Sequence, residues 1–132
     1  MVNKLILING PSGCGKDTAS QFIRDYLPLS VQTKISAPLK RVVKAVFDLK
    51  ASNVTYFEDH KNKDAKCERF YGWSYRQAQI GVSQWLNNSF GPDILGQMFL
   101  RAWKEPIAFE YLIISDAGVT EEIVPLVERW KP

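Results

Sequence analysis

Cysteine is nearly absent: Cys14 and Cys67 are the only two in 132 residues. They are too few and too isolated for a disulfide framework or a metal knuckle, which suits a reducing compartment. Histidine occurs once, as His60. With no histidine or cysteine at ligand spacing around it, His60 reads as a surface residue and not as a metal ligand or a base. No apolar run approaches the ~18 residues of a membrane span, and no apolar core follows a basic leader at the N-terminus. The expectation is a cytoplasmic protein with no membrane partner. Charge of one sign is not concentrated anywhere: 17 Lys and Arg and 14 Asp and Glu, net +3, are interleaved along the chain. That leaves no basic stripe for nucleic acid. What remains is 45% hydrophobic residues, enough for one globular domain over 1–132.

The most informative stretch runs from Leu5 to Thr18. The branched aliphatics Leu5-Ile6-Leu7-Ile8 read as a strand buried on both faces and therefore central in a parallel sheet. They open onto a loop with Gly10, Gly13 and Gly15, after which Lys16 stands at the mouth of a helical pattern, Ala19, Phe22, Ile23, Tyr26 and Leu27. A helix N-terminus offers unpaired N–H groups and a positive dipole end, glycines let the backbone wrap a polyphosphate, and a lysine supplies a mobile charge for the outer phosphates. Gly10 to Lys16 matches G-x-x-x-x-G-K, with Asp17 where the common pattern has Ser or Thr, and Thr18 one place late. Cys14 inside the loop reads as a bystander in the chemistry.

Further along, a first helix is expected from about Lys16 to Leu27, stopped by Pro28. Thr33-Lys34-Ile35-Ser36 reads as a second strand. Pro38 opens a second helix with Leu39, Val42, Val43, Val46 and Phe47 on one face and Lys40, Arg41 and Lys44 on the other. Those cations are either a solvated face or an anion grip. From Ala51 to Trp73 the pattern loosens, and the mixed charges of Glu58 to Lys66 predict a mobile loop. Ser74-Tyr75-Arg76-Gln77 is a capping box that starts a helix to about Asn88. Arg76 lies in its first turn, where the dipole disfavours a cation, so it needs a nearby anion or plain solvation. Another helix is expected from Pro92 to about Trp103, with Trp73, Trp85 and Trp103 as packing residues. Tyr111 to Asp116 is a second long apolar run ending in an acid. Asp116 there is either a strand-end turn or the carboxylate that holds Mg²⁺ beside phosphates. Thr120 caps a last helix, with Pro125 near enough to its start to be tolerated.

Gly15-Lys16-Asp17-Thr18, Ile35-Ser36-Ala37-Pro38-Leu39-Lys40, Tyr75-Arg76-Gln77-Ala78, Phe90-Gly91-Pro92-Asp93 and Ser115-Asp116-Ala117-Gly118 occur in an order that resembles the bacteriophage-type deoxynucleoside monophosphate kinases of the P-loop kinase class. The resemblance implies an α/β fold, a P-loop NTPase three-layer α/β/α sandwich with strands 1 to 3 of a 2-3-1-4-5 parallel sheet. It also implies phosphoryl transfer from ATP with Mg²⁺ to a (deoxy)nucleoside monophosphate, in the host cytoplasm if the chain is phage-encoded. Gly10, Ser12, Gly13, Cys14, Gly15, Lys16, Asp17 and Thr18 would cradle the ATP phosphates, with Lys16 bridging them. Asp17 and Asp116 would position the metal, and Lys40, Arg41 and Arg76 would grip the acceptor's phosphate. The strands numbered 4 and 5 and the arginine-bearing lid have no counterpart before Pro132. The expectations that follow are a chain truncated relative to the family, with an unpaired edge on the first strand, that self-associates, pairs with another chain or shows markedly reduced turnover. The alternative is a nucleotide-binding regulatory module without turnover.

Overall fold

The computed structural model describes residues 2–11 and 13–131. Its elements are β1 (Lys4–Leu7), α1 (Lys16–Tyr26), β2 (Ser30–Thr33), α2 (Ala37–Val46), α3 (Ala51–Glu58), α4 (Tyr75–Phe90), α5 (Ile94–Ala102), β3 (Tyr111–Ile114) and α6 (Thr120–Arg129). They form two compact units, Met1–Ala37 with Pro92–Pro132, and Pro38–Gly91.

The first unit is α/β. Its three strands are all parallel in the order β1-β3-β2, with Leu5 and Val31 both in register with Leu112. The central strand is therefore β3, whose Leu112, Ile113 and Ile114 are fully buried. β1, read as central from its composition, is bonded to β3 alone among the described residues, which leaves its other edge unpaired. The two crossovers run in opposite directions across the sheet, so right-handed connections put α1 on one face and α5 on the other. On the α5 side Phe99, Leu126 and Trp130 close over Leu112 and Ile114. Gly96 lets α5 and α6 touch, since a Cβ there would lie 2.0 Å from the backbone oxygen of Glu122. Trp103 stacks on Phe99 at 5.6 Å, the packing role expected of it. On the other face α1 meets β2 and β3. Only Ile23 and Leu27 of its expected apolar face are half-buried, while Phe22 and Tyr26 are 73% and 79% exposed.

Two boundaries differ from expectation here. β2 is Ser30–Thr33 and not Thr33 to Ser36, because the amides of Ile35 and Ser36 are taken by a side chain and no longer follow the ladder. The residue before α6 is Val119, with Thr120 already helical and no side-chain cap.

The second unit is helical. Residues 51–73 are not the loose stretch that their charge run predicted. α3 occupies Ala51–Glu58, and a 3-10 turn follows at Glu68–Phe70. The intervening run is pinned: Arg76 N donates to the Lys63 carbonyl at 3.1 Å, and Lys66 bridges to Ser74. The predicted capping box is present, with Gln77 N donating to Ser74 Oγ at 3.1 Å and the Gln77 amide oxygen accepting from Ser74 N at 2.9 Å. Phe57, Phe70 and Tyr75 form the unit's aromatic core. Trp73 and Trp85 are half-exposed, Trp73 lying against Gly81, so they pack only in part.

Candidate functional site

The loop from Gly10 to Gly15 leaves the carboxyl end of β1 and enters α1 at Lys16. Gly13 and Gly15 have φ of +80° and +93°, a left-handed backbone that a side chain would strain, so glycine at these two places is a requirement of the turn. Gly15 is the N-cap of α1 and supplies no side-chain cap. The first-turn amides of Lys16, Asp17 and Thr18 therefore have no partner among the described residues. Unpaired amides at a helix start, with the dipole behind them, form an anion cradle. Ser12 lies outside the described residues. Cys14 is exposed in the loop. A Cβ on Gly10 would come within 2.5 Å of the Cys14 sulfur, so the exposed Cys14 side chain lies against Gly10 across the turn.

Lys16 is half-buried and has no carboxylate partner among the described residues. Asp17, exposed in the first turn, lies 3.4 Å from the ammonium of Lys34. Asp116 follows β3 and is fully engaged on one oxygen: Oδ2 accepts from Ser36 Oγ at 2.6 Å and Ser36 N at 3.2 Å, while Oδ1 accepts from Ile35 N at 2.7 Å. The strand-end reading of Asp116 thus has a definite content, for the carboxylate staples the segment after β2 to the end of β3. One lone pair on Oδ1 remains. The register is locked beside it by Ile8 N donating to the Ile114 carbonyl and Ala117 N to the Ile8 carbonyl.

Two exposed or half-buried carboxylates suit a hard cation that brings most of its oxygens with it as phosphate and water, as Mg²⁺ does. No group of three or more His, Cys, Asp or Glu that would hold a metal by itself occurs among the described residues. Asp116→Asn should therefore do more than remove charge. The amide NH₂ must face either Ile35 N or Ser36, donor against donor, and the loss should be about 2 kcal/mol in urea unfolding. An unchanged midpoint would show that the staple carries no weight.

Glu122, in the first turn of α6, is 8% exposed. Burial, then the charge of Asp116 and that of Glu121, push its carboxyl above the ordinary 4.5. A raised acid binds more protons folded than unfolded, so it costs stability above that raised value and nothing below 4.5. Glu122→Gln should stabilise the protein at pH 7, with the gain vanishing as pH falls below about 4.5. A gain that persists at pH 3.5 would point to packing instead of charge.

The three cations expected to grip an acceptor phosphate lie in the second unit. Lys40 is 3.0 Å from Glu58, which also accepts from Tyr75 OH at 2.7 Å and lies 3.6 Å from Lys63. Burial alone would raise Glu58, but the hydrogen bonds from Tyr75 and Lys40 and the two lysine charges outweigh it and hold the carboxyl below its ordinary value. Arg76 donates from Nε to Asp64 at 2.6 Å, so its first-turn position is compensated by an anion. Arg41 is exposed and has no ion pair among the described residues. Lys34 is the cation that sequence reading missed. Its place just past the end of a parallel strand, on the side where open α/β sheets bind ligands, was the available signal. His60 is exposed, as expected. No helix is long and apolar enough to cross a membrane among the described residues.

No family model, curated protein or solved structure matches this chain.

Proposed function

We propose that this chain is a P-loop NTPase of three-layer α/β/α type that transfers a phosphoryl group from ATP to a (deoxy)nucleoside monophosphate. The observation that carries the reading is the glycine loop between β1 and α1, with two left-handed glycines, uncapped first-turn amides and the unpartnered Lys16 at the carboxyl end of three parallel strands. The strand order is further support, since β1-β3-β2 is the 2-3-1 part of the order that the resemblance implies. In this reading the loop amides hold the β-phosphate and Lys16 steadies the charge of the group in transfer. Asp17 and Asp116 would hold Mg²⁺, which supplies neutralisation of phosphate charge when bound. The test is a coupled ADP-release assay over a panel of monophosphates, with ATP binding measured in parallel. Release that depends on one class of monophosphate supports the kinase.

A second reading, a nucleotide-binding module without turnover, is favoured by the ties on Lys40 and Arg76, which leave Arg41 as the expected acceptor contact without an ion pair. ATP binding without acceptor-dependent release selects it. Self-association belongs to either reading, supported by the unpaired edge of β1 and the exposed rings of Phe22 and Tyr26. Light scattering should give a mass that rises with concentration, and a stable monomer over a wide range removes this part of the proposal.

A further inference from the structure

Both carboxylates assigned to the metal are held by one three-residue segment. Lys34 Nζ lies 3.4 Å from Asp17, Ile35 N donates to Asp116 at 2.7 Å, and Ser36 donates to it twice, at 3.2 and 2.6 Å. The segment follows directly on β2, and backbone bonds fix its start, since Ser115 N donates to the Thr33 carbonyl and Ala37 N to the Lys34 carbonyl. One ammonium and three neutral donors from consecutive residues thus pair with these two acids.

Resting on the nucleotide-site reading, we infer that Lys34–Ser36 is a built-in stand-in for the cation, and that Lys34 exchanges partners when nucleotide arrives. Without nucleotide the Lys34 ammonium neutralises Asp17 and keeps a bare divalent cation out. With metal and triphosphate bound, Asp17 turns to the cation and Lys34 turns to a phosphate oxygen. Asp116 does not exchange: its Oδ2 stays with Ser36, and only the spare lone pair of Oδ1 is available, which limits it to one contact, direct or through water. Lys34 is therefore a positioning residue at rest and a phosphate ligand in the complex. The weakness of the pair suits this role, because Asp17 is 70% and Lys34 41% exposed. An exposed ion pair is cheap to break and quick to re-form.

The inference predicts effects of opposite sign from one substitution. In Lys34→Gln, Mn²⁺ binding without nucleotide, read by electron paramagnetic resonance at low ionic strength, should tighten about three- to fivefold, while affinity for ATP in saturating Mg²⁺ should weaken by about the same factor. A merely structural lysine would move both in one direction or neither. Lys34→Arg should keep wild-type values in both measurements. On an Asp17→Asn background, Lys34→Gln should no longer tighten Mn²⁺ binding, which separates the specific exchange from a general loss of positive charge. If ATP binds wild type and Lys34→Gln equally, with Mn²⁺ binding unchanged, the exchange is overturned and the nucleotide site survives. If no variant, wild type included, binds ATP at all, both fall.

Discussion

On the proposed nucleotide-site reading, Lys16→Ala should lower ATP affinity or turnover at least tenfold, about 1.4 kcal/mol or more, because it would remove a charge-assisted contact to phosphate. The size of the effect rests on what Lys16 does not do. Lys40 and Arg76 spend their charge on Glu58 and Asp64, so losing either would disturb the second unit before it disturbed a ligand. Lys16 has no such commitment among the described residues, and its loss should leave the free energy of unfolding within about 0.5 kcal/mol of wild type, as for substitutions away from packed features. Isothermal titration with ATP and a urea melt on the same preparation separate the two quantities. Equal nucleotide binding by wild type and variant would remove the loop assignment.

Gly96→Ala should be the most damaging single methyl in the first unit, at about 3 kcal/mol. The added carbon would lie 2.0 Å from the Glu122 carbonyl oxygen, 3.1 Å from its carbon and 3.2 Å from the Pro125 ring. Backbone on α6 cannot rotate away as a side chain can, so α5 and α6 must part and uncover Leu95, Phe99 and Leu126. Alanine is the better helix former by about 1 kcal/mol, so the measured loss understates the steric cost. Gly81 is the contrast. A Cβ there meets the rim of the Trp73 ring at 2.5 Å, and a half-exposed side chain can swing aside. Unfolding free energies of the two variants, from urea melts, should differ by about 2 kcal/mol or more; equal values would mean that the α5–α6 approach is not rigid.

Features written in consecutive residues were legible in the sequence. The glycine loop, the Ser74 capping box, the strand at Tyr111 and the helix after Lys16 depend on local spacing, and each lies within a residue or two of its expected place. What escaped depends on partners far along the chain. The end of β2 is set by a carboxylate about 80 residues away, which captures Ile35 and Ser36. The charged run after Ala51 is ordered because Glu58 finds Lys40, Lys63 and Tyr75, and because Asp64 finds Arg76. Charge interleaving looks the same whether the charges face water or each other. Phe22 and Tyr26 show the converse: helical periodicity marks an apolar stripe without saying that anything covers it.

The placing of β3 between β1 and β2 also orders events in time. Neither outer strand bonds to the other, and both bond only to Tyr111–Ile114. No sheet can exist until that segment is available, however early β1 is made. At ordinary rates of synthesis the interval between β1 and β3, about a hundred residues, is roughly 5–20 s. Through that interval Leu5, Ile6 and Leu7 have no strand to join, and the glycine loop has no sheet beneath it. The sheet therefore waits for its last-made strand, and a nascent chain arrested before Tyr111 should show no protected amides in β1, while one released past Ile114 should protect all three strands together.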